Sequence, residues 1–330
     1  MTHGRPVVPF EIKPQATIAD ALEAMEGISF QARMLGRAFR IWRRMVEDDV
    51  FIFFGLAGAM VPAGLRKVIV ALIENRLLDC IVSTGANLFH DLHETLGFHH
   101  YAISPDADDD QLRKERLDRI YDTCGVDQEF NQSDYYIIDF ARGLDPAEPL
   151  TTAEFFARLG RKLEEDKKDD GIITAAARCG VPIFCPALGD SSYGIALALL
   201  AEREGHNVVF DLVGDVAETA RLTENHKTGI IFVGGGTPKN FVQQAEITVS
   251  MLRGSARGHH YAIQITTDAP HWGGLSGCTF QEAKSWGKIA EEARTVTVYC
   301  DATIALPLLA CGLVQAGVGR TAQRTSPATA

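Results

Sequence analysis

A chain of 330 residues with 46% hydrophobic and 23% charged side chains and 30 glycines has the balance of a globular α/β protein, which excludes a disordered or fibrous polymer. Its net charge of −11, from 32 basic and 43 acidic residues, repels nucleic acid and anionic lipid and mildly attracts cationic ligands. Seven cysteines, Cys80, Cys124, Cys179, Cys185, Cys278, Cys300 and Cys311, are odd in number and form no CxxC pair, so neither a disulfide framework nor a zinc site is expected and the setting is reducing and cytoplasmic.

In chain order, MTHGRPVVPFEI lacks the apolar stretch that a secretory signal needs after its basic residues. No apolar run reaches the about 18 residues of a membrane span. Residues 17–49 carry apolar positions at three- and four-residue spacing, which makes 1–49 an N-terminal helical extension packed on a sheet or on a second subunit. From about residue 50, short apolar runs end in glycine, aspartate or small polar residues and alternate with helical periodicity. They are VFIFFGLAGA (50–59), LDCIVSTGAN (78–87), VPIFCPALGD (181–190), HNVVFDLVGD (206–215), TGIIFVGGGT (228–237), HYAIQITTDA (260–269) and TVTVYCDATI (295–304). Continuous apolar runs of this length are strands buried on both faces, and alternation with helices implies right-handed crossovers. The fold class is therefore α/β, a Rossmann-like doubly wound, mainly parallel sheet over residues 50–318 behind the helical segment. The acidic stretch SPDADDDQLRKERLDR (104–119) reads as a solvated loop leading into a helix, and GRTAQRTSPATA (319–330) as a frayed tail.

Ligands of an open parallel sheet bind outside the carboxyl ends of its strands. Those positions hold Gly55 and Gly58, then Ser83, Thr84 and Gly85, then Asp190, Ser191 and Ser192, then Gly234, Gly235 and Gly236. Thr266, Thr267 and Asp268, then Asp301 and Ala302, follow the last two strands. Glycine turns let backbone N–H groups approach a pyrophosphate, helix N-termini favour anions, and a strand-end aspartate accepts ribose hydroxyls. A dinucleotide spread over several loops suits this set, although no GxGxxG fingerprint is present. His93, His99, His100, His259, His260 and His271 show no metal-ligand spacing and read as surface or loop histidines, so no metal site is expected. His271 and Trp272, beside the glycine pair before Ser276, either line the pocket or are loop packing, the latter being the preferred reading.

The segment GGLSGCTFQEAKSWGKIAEEAR (273–294) lies between two of these strands. Glu282 and Trp286, four apart, share a face if the turn is helical, and a carboxylate beside an indole makes an amine receptor. The alternatives are a surface ion pair for Glu282 and a core anchor for Trp286. Lys288, just past Gly287, is either a solvated cation or, if desolvated, an amine that can form an imine.

EAKSWGKI followed by VTVYCDATIALPLL resembles the active-site lysine region of the deoxyhypusine synthase family. The likeness extends to FGLAGAMVPAGLR (54–66), VSTGANLFHDL (82–92), PIFCPALGDSSYG (182–194) and IIFVGGG (230–236), and covers roughly residues 28–315 in order. The resemblance implies a Rossmann-like fold and homotetramers built from tight dimers, with NAD and spermidine at the dimer interface. It also implies oxidation of spermidine by NAD, loss of 1,3-diaminopropane, passage of the aminobutyl group to a lysine as an imine, and transfer to an acceptor amine. On this resemblance Lys288 is the imine-forming residue and Glu282 and Trp286 hold the amine chain. Thr84, Gly85, Asp190, Gly235, Thr267, Ser276, Asp301 and Ala302 are the cofactor positions.

The sequence departs from the family in the amine pocket. A family glutamate aligns with His90, two pocket aspartates with Ile195 and Leu275, and a pocket histidine with Asn240. Each lost carboxylate removes a charge-assisted hydrogen bond of about 1.5–3 kcal/mol where it is buried. His90 is either a general base, since imidazole titrates near neutrality, or a structural histidine. The acceptor is then a small amine such as putrescine, as in the related homospermidine synthases, or a translation-factor lysine. An NAD-dependent amine dehydrogenase and a non-catalytic binding protein are the other classes.

Overall fold

The computed structural model describes residues 4–254 and 257–320. Two helices open the chain, α1 (Ile18–Met25) and α2 (Phe30–Glu47). Thr17 starts α1 with a reciprocal cap, its hydroxyl accepting from the Asp20 N–H while the Asp20 carboxylate accepts from the Thr17 N–H at 2.9 Å. Along α2, Leu35, Phe39, Trp42 and Met45 are buried at helical spacing, and Trp42 Nε1 donates to the Leu77 carbonyl at 2.8 Å. Burying such side chains stabilises by about 1.5–3 kcal/mol each, so the helical extension is part of the main core.

The body follows as β1 (Phe51–Leu56), α3 (Arg66–Glu74), β2 (Cys80–Ser83), α4 (Gly85–Thr95), β3 (Tyr101–Ala102), α5 (Asp109–Glu115), β4 (Leu117–Ile120), β5 (Thr123–Val126) and α6 (Asp127–Arg142). Then come α7 (Thr152–Asp166), α8 (Ile172–Cys179), β6 (Ile183–Phe184), α9 (Ser192–Glu204), α10 (Leu212–Asn225), β7 (Thr228–Val233) and α11 (Gly236–Arg253). The last elements are β8 (His259–Thr266), α12 (Phe280–Ser285), β9 (Ile289–Tyr299) and α13 (Ala302–Gln315).

Six strands form one parallel sheet in the order β6-β2-β1-β7-β8-β9. Numbered by their own sequence this is 3-2-1-4-5-6, the doubly wound order that reverses between β1 and β7. The parallel α/β sheet is thus as expected. Ile52, Phe54 and Leu56 pack into the core on one face, Phe51 and Phe53 into the core on the other, which is why β1 reads as an unbroken apolar run.

Residues 206–215 are a correction: they add no strand to the sheet. Only Phe210 forms a bridge, to Leu150, and Asp211 then caps α10 by accepting from the Gly214 N–H at 2.7 Å. The buried Asp215 carboxylate accepts from Thr152 Oγ1 at 2.7 Å, and Val213 is left outside. The cap and the helix outcompete an apolar run too short to hold a sheet position. A small antiparallel sheet, β3-β5-β4, was not legible either; the 104–119 stretch becomes α5 and then β4.

Arg320 donates to Asp79 at 2.7 Å, while residues 321–330 of the expected tail and residues 1–3 lie outside the described residues. Among the described residues no helix is long and apolar enough to cross a membrane.

Candidate active site

The switch between β1 and β7 places Gly234 and Gly235 at the mouth of a crevice. Gly234 has φ +73°, a conformation that favours glycine. A Cβ on Gly235 would overlap Ser276, so only glycine admits this approach of the two loops. Beneath them lies a buried polar network. Gln264 Nε2 donates to the carbonyls of Gly234 at 3.1 Å and Ser276 at 2.7 Å, and Lys239 Nζ donates to Gln264 Oε1 at 2.9 Å and the Cys278 carbonyl at 2.5 Å. Lys239 and Gln264 are each 1% exposed. Burial, with the charge of Lys288 adding to it, lowers the Lys239 ammonium to about 8. Neither residue was singled out from sequence; a glutamine inside an apolar strand run was the available signal.

Lys288 is set by the end of α12. Thr279 and Glu282 cap this helix reciprocally, Glu282 accepting from the Thr279 N–H at 2.9 Å and Thr279 Oγ1 accepting from the Glu282 N–H at 3.1 Å. The backbone hydrogen bond from Thr279 leads in holding the Glu282 carboxyl below its ordinary range. The helix ends at Ser285 and Trp286 is its cap, followed by Gly287 at φ +72°. Trp286, four residues after Glu282, is the cap and keeps right-handed helical dihedrals, so the two follow one turn apart at the helix end. The alternatives do not describe them: Glu282 caps the helix, and Trp286 is 69% exposed and anchors no core. The indole meets Lys288 instead, with Nζ 5.3 Å from its ring centroid. Lys288 is half-buried; its N–H donates to the Ala283 carbonyl at 3.0 Å and its carbonyl accepts from the His259 N–H at 3.1 Å.

Ser276 and half-buried Asn240 lie on the same side of the crevice, with Leu275 43% exposed. Thr267 is exposed just past β8, and Asp301 caps α13 by accepting from the Thr303 N–H at 2.7 Å, with Ala302 opening that helix.

Across the crevice, Thr84 caps α4 at the end of β2, and Gly85 lies so close to Ser191 that no Cβ fits. A cleft of about 600 Å³ is lined there by His90, Phe130, Asp134, Asp190, Ser191 and Ile195. The structure thus joins His90, Asp190 and Ile195 in one cavity. His90 Nδ1 is 2.9 Å from His100 Nε2, and His100 Nδ1 is 2.7 Å from Glu94 Oε1. Burial, then the His100 charge, lowers His90 to about 4. Burial raises Asp134 to about 6.

Several histidines expected on the surface are inside. The His100 side chain is 4% exposed, His93 is buried against Ser133 Oγ at 3.0 Å, and His259 is buried against Thr228 Oγ1 at 2.8 Å. Each finds a hydroxyl or carboxylate partner for one ring nitrogen, while the buried Nε2 atoms of His93 and His259 have none among the described residues. Among the described residues no group of three His, Cys, Asp or Glu side chains is placed to hold a metal ion.

The two halves flank the crevice. Three strand steps of about 4.8 Å, roughly 14 Å, separate β2 from β8. The cleft half carries acidic and aromatic groups suited to an amine; the other carries a lysine pair and an indole.

Residues 20–313 match the family model for deoxyhypusine synthase. The chain is 50% identical over 292 residues to "Probable deoxyhypusine synthase 2" of Archaeoglobus fulgidus, covering 88% of this chain and 96% of that one. It is 47% identical over 313 residues to the protein of the same name from Methanosarcina acetivorans, covering 94% and 90%. A crystal structure from Entamoeba histolytica, named for the same activity, superposes with a TM-score of 0.63 at 19% identity, covering 96% of this chain and all of that one, a likeness of fold. By its sequence over nearly the whole length, this chain belongs to the deoxyhypusine synthase family.

Proposed function

We propose that this protein is an NAD-dependent transferase that moves an aminobutyl group from spermidine or a related amine, through an imine on Lys288, to a small acceptor amine in homospermidine-type polyamine metabolism. The observation that carries the reading is the setting of Lys288: a half-buried primary amine over the Trp286 indole, whose charge is felt by a second, buried lysine bonded beneath the Gly234–Gly235 turn through Gln264. An indole face attracts an ammonium, which gathers a cationic substrate toward the nucleophile. We further infer a cytoplasmic setting and a homotetramer with the sites at its dimer interface, an arrangement that suits the two flanking halves.

The residues present fit NAD. The Gly234–Gly235 turn ends β7 against Ser276, α4 and α11 present their N-termini at the ends of β2 and β7, and Asp190 and Asp301 follow β6 and β9 as carboxylates suited to ribose hydroxyls. Thr84, Gly85, Thr267, Ser276 and Ala302 complete the set. Held there, NAD would supply reversible hydride transfer at the carbon beside the donor's secondary amine, with no net redox change over the cycle. Attack of the Lys288 amine on that carbon forms a C–N bond as the bond to the secondary nitrogen breaks, that nitrogen leaving within 1,3-diaminopropane, and the acceptor amine displaces Lys288 in turn. His90, Asn240, Ile195, Leu275, Glu282 and Trp286 line the amine path.

Ile195 and Leu275, 57% and 43% exposed, present apolar surface at the amine path. This favours a less cationic acceptor than a carboxylate-lined pocket selects. The names of the relatives favour a second reading, in which the acceptor is a translation-factor lysine.

The test is intact-mass spectrometry after incubation with NAD and a panel of polyamines and trapping with borohydride, beside Lys288→Ala. An aminobutyl-sized adduct on the wild type and not on the variant is expected. Stoichiometric NADH release, with no adduct and no loss in Lys288→Ala, would replace the transferase by an amine dehydrogenase. Transfer to a translation-factor lysine but to no free diamine would overturn the small-acceptor assignment.

A further inference from the structure

We propose that Glu94, His100 and His90 form a proton relay whose outer end, His90 Nε2, takes a proton from the ammonium of the bound amine; the identity of that amine rests on the transferase reading above. The argument is one of donors and acceptors. A carboxylate only accepts, so His100 Nδ1, 2.7 Å from Glu94 Oε1, carries a hydrogen. Neutral His100 then has a bare Nε2, which at 2.9 Å accepts from His90 Nδ1. The remaining nitrogen, His90 Nε2, is left with an open lone pair. It makes no hydrogen bond among the described residues, and the ring lines the cleft that holds Asp190 and Ile195.

The proton balance closes along this chain. The substrate N–H bond breaks, its electron pair stays on nitrogen, and the proton binds His90 Nε2. His90 gives its Nδ1 proton to His100 Nε2. The positive charge ends on His100, whose Nδ1–H remains on the Glu94 carboxylate. His90 is a poor resting place for the charge, since burial and the His100 charge lower it to about 4. It passes the proton inward, and His100 and Glu94 are positioning residues behind it.

The surroundings agree. On α4, the His93 ring is 5.3 Å from that of His100 and is kept neutral, lowered to about 3 by burial and by the His100 and His90 charges. From α3, Arg66 Nη1 is 3.9 Å from Glu94 Oε2, leaving Oε1 to His100, while its other contacts go to Asp91, Thr95 and Asp169. His99 adjoins on the loop, with its own charge also acting on His93. Asp134, on α6, faces the cleft beside His90 and favours a cation there. Phe130 packs on both His90 and His100 and screens the inner link from solvent.

The experiment follows carbethoxylation of His90 by diethyl pyrocarbonate, mapped by peptide mass, from pH 5 to 9 in full-length wild type, Glu94→Gln, Glu94→Asp and His100→Phe. The reagent attacks only an unprotonated ring nitrogen. In the wild type the rate should rise through a midpoint set by the relay, because a charged His100 forces the proton onto His90 Nε2. Glu94→Gln should lower that midpoint by about one pH unit. Glu94→Asp should restore it in part, and His100→Phe should lower it further. His271, exposed on the short turn Pro270–Trp272, serves as the internal standard and should not move. The acidic limb of borohydride trapping with spermidine should shift with the same variants. A His90 unreactive at neutral pH, or one midpoint common to all four proteins, overturns the relay. Failure of the wild type to form any amine adduct removes the transferase reading instead, and the His90 midpoints still decide the relay.

Discussion

Lys239→Met tests the electrostatics of the crevice floor. The lysine is 1% exposed, and burial lowers its ammonium from the ordinary 10.5 to about 8. At about 1.4 kcal/mol per pH unit, that drop of about 2.5 corresponds to about 3 kcal/mol. The sign follows from proton counts. Between pH 8 and 10.5 the unfolded chain binds the proton that the folded chain has lost, so stability rises with pH across that window. Below about pH 8 both states hold the proton and the full penalty is present. Methionine keeps the stem volume and removes the titration, but leaves Gln264 Oε1 and the Cys278 carbonyl without their donor. The absolute change at one pH therefore mixes two effects, whereas its pH dependence isolates one. Urea unfolding of both proteins at a fixed protomer concentration from pH 7 to 11 should show the wild type gaining about 3 kcal/mol on the variant. Parallel stability curves would refute a buried, depressed lysine and remove it from the floor of the site.

Two further expectations follow from the same contacts. Arg66 and Asp91 form a buried ion pair at 2.9 Å, and Asp91 also accepts from the N–H groups of Ile172 and Ile173 at the start of α8. Arg66→Met strands that carboxylate and should destabilise by about 3–5 kcal/mol, read as a lowered urea midpoint with an unchanged slope. Ile195→Asp places a carboxylate in the His90 cleft at an exposed position and should lower KM for spermidine two- to five-fold, from about 0.5–1 kcal/mol, with the gain lost at high salt. A salt-independent or unchanged KM would separate this cleft from the amine path.

How much of the protein was legible in its sequence depended on how local each cause was. Runs such as Phe51–Leu56 and Thr228–Val233 are buried throughout, so their apolar continuity announced parallel strands, and the glycines and carboxylates after them marked the ligand edge. The tract around Lys288 likewise carried its family in consecutive residues. Residues 206–215 misled because a cap at Asp211 and a distant partner for Asp215, Thr152, settled the competition between strand and helix. The meeting of the Trp286 indole with Lys288 depended on the chain turn at Gly287, which spacing alone does not specify.

The rest lay in contacts between separate segments. Lys239 meets Gln264 and Cys278, and His90 meets a loop histidine that in turn meets Glu94. Backbone periodicity is written in neighbouring residues and survives in a one-dimensional reading. Burial of a particular lysine or imidazole, and the tautomer it must adopt, depends on which donors and acceptors the folded chain brings within about 3 Å, and only the tertiary structure decides that.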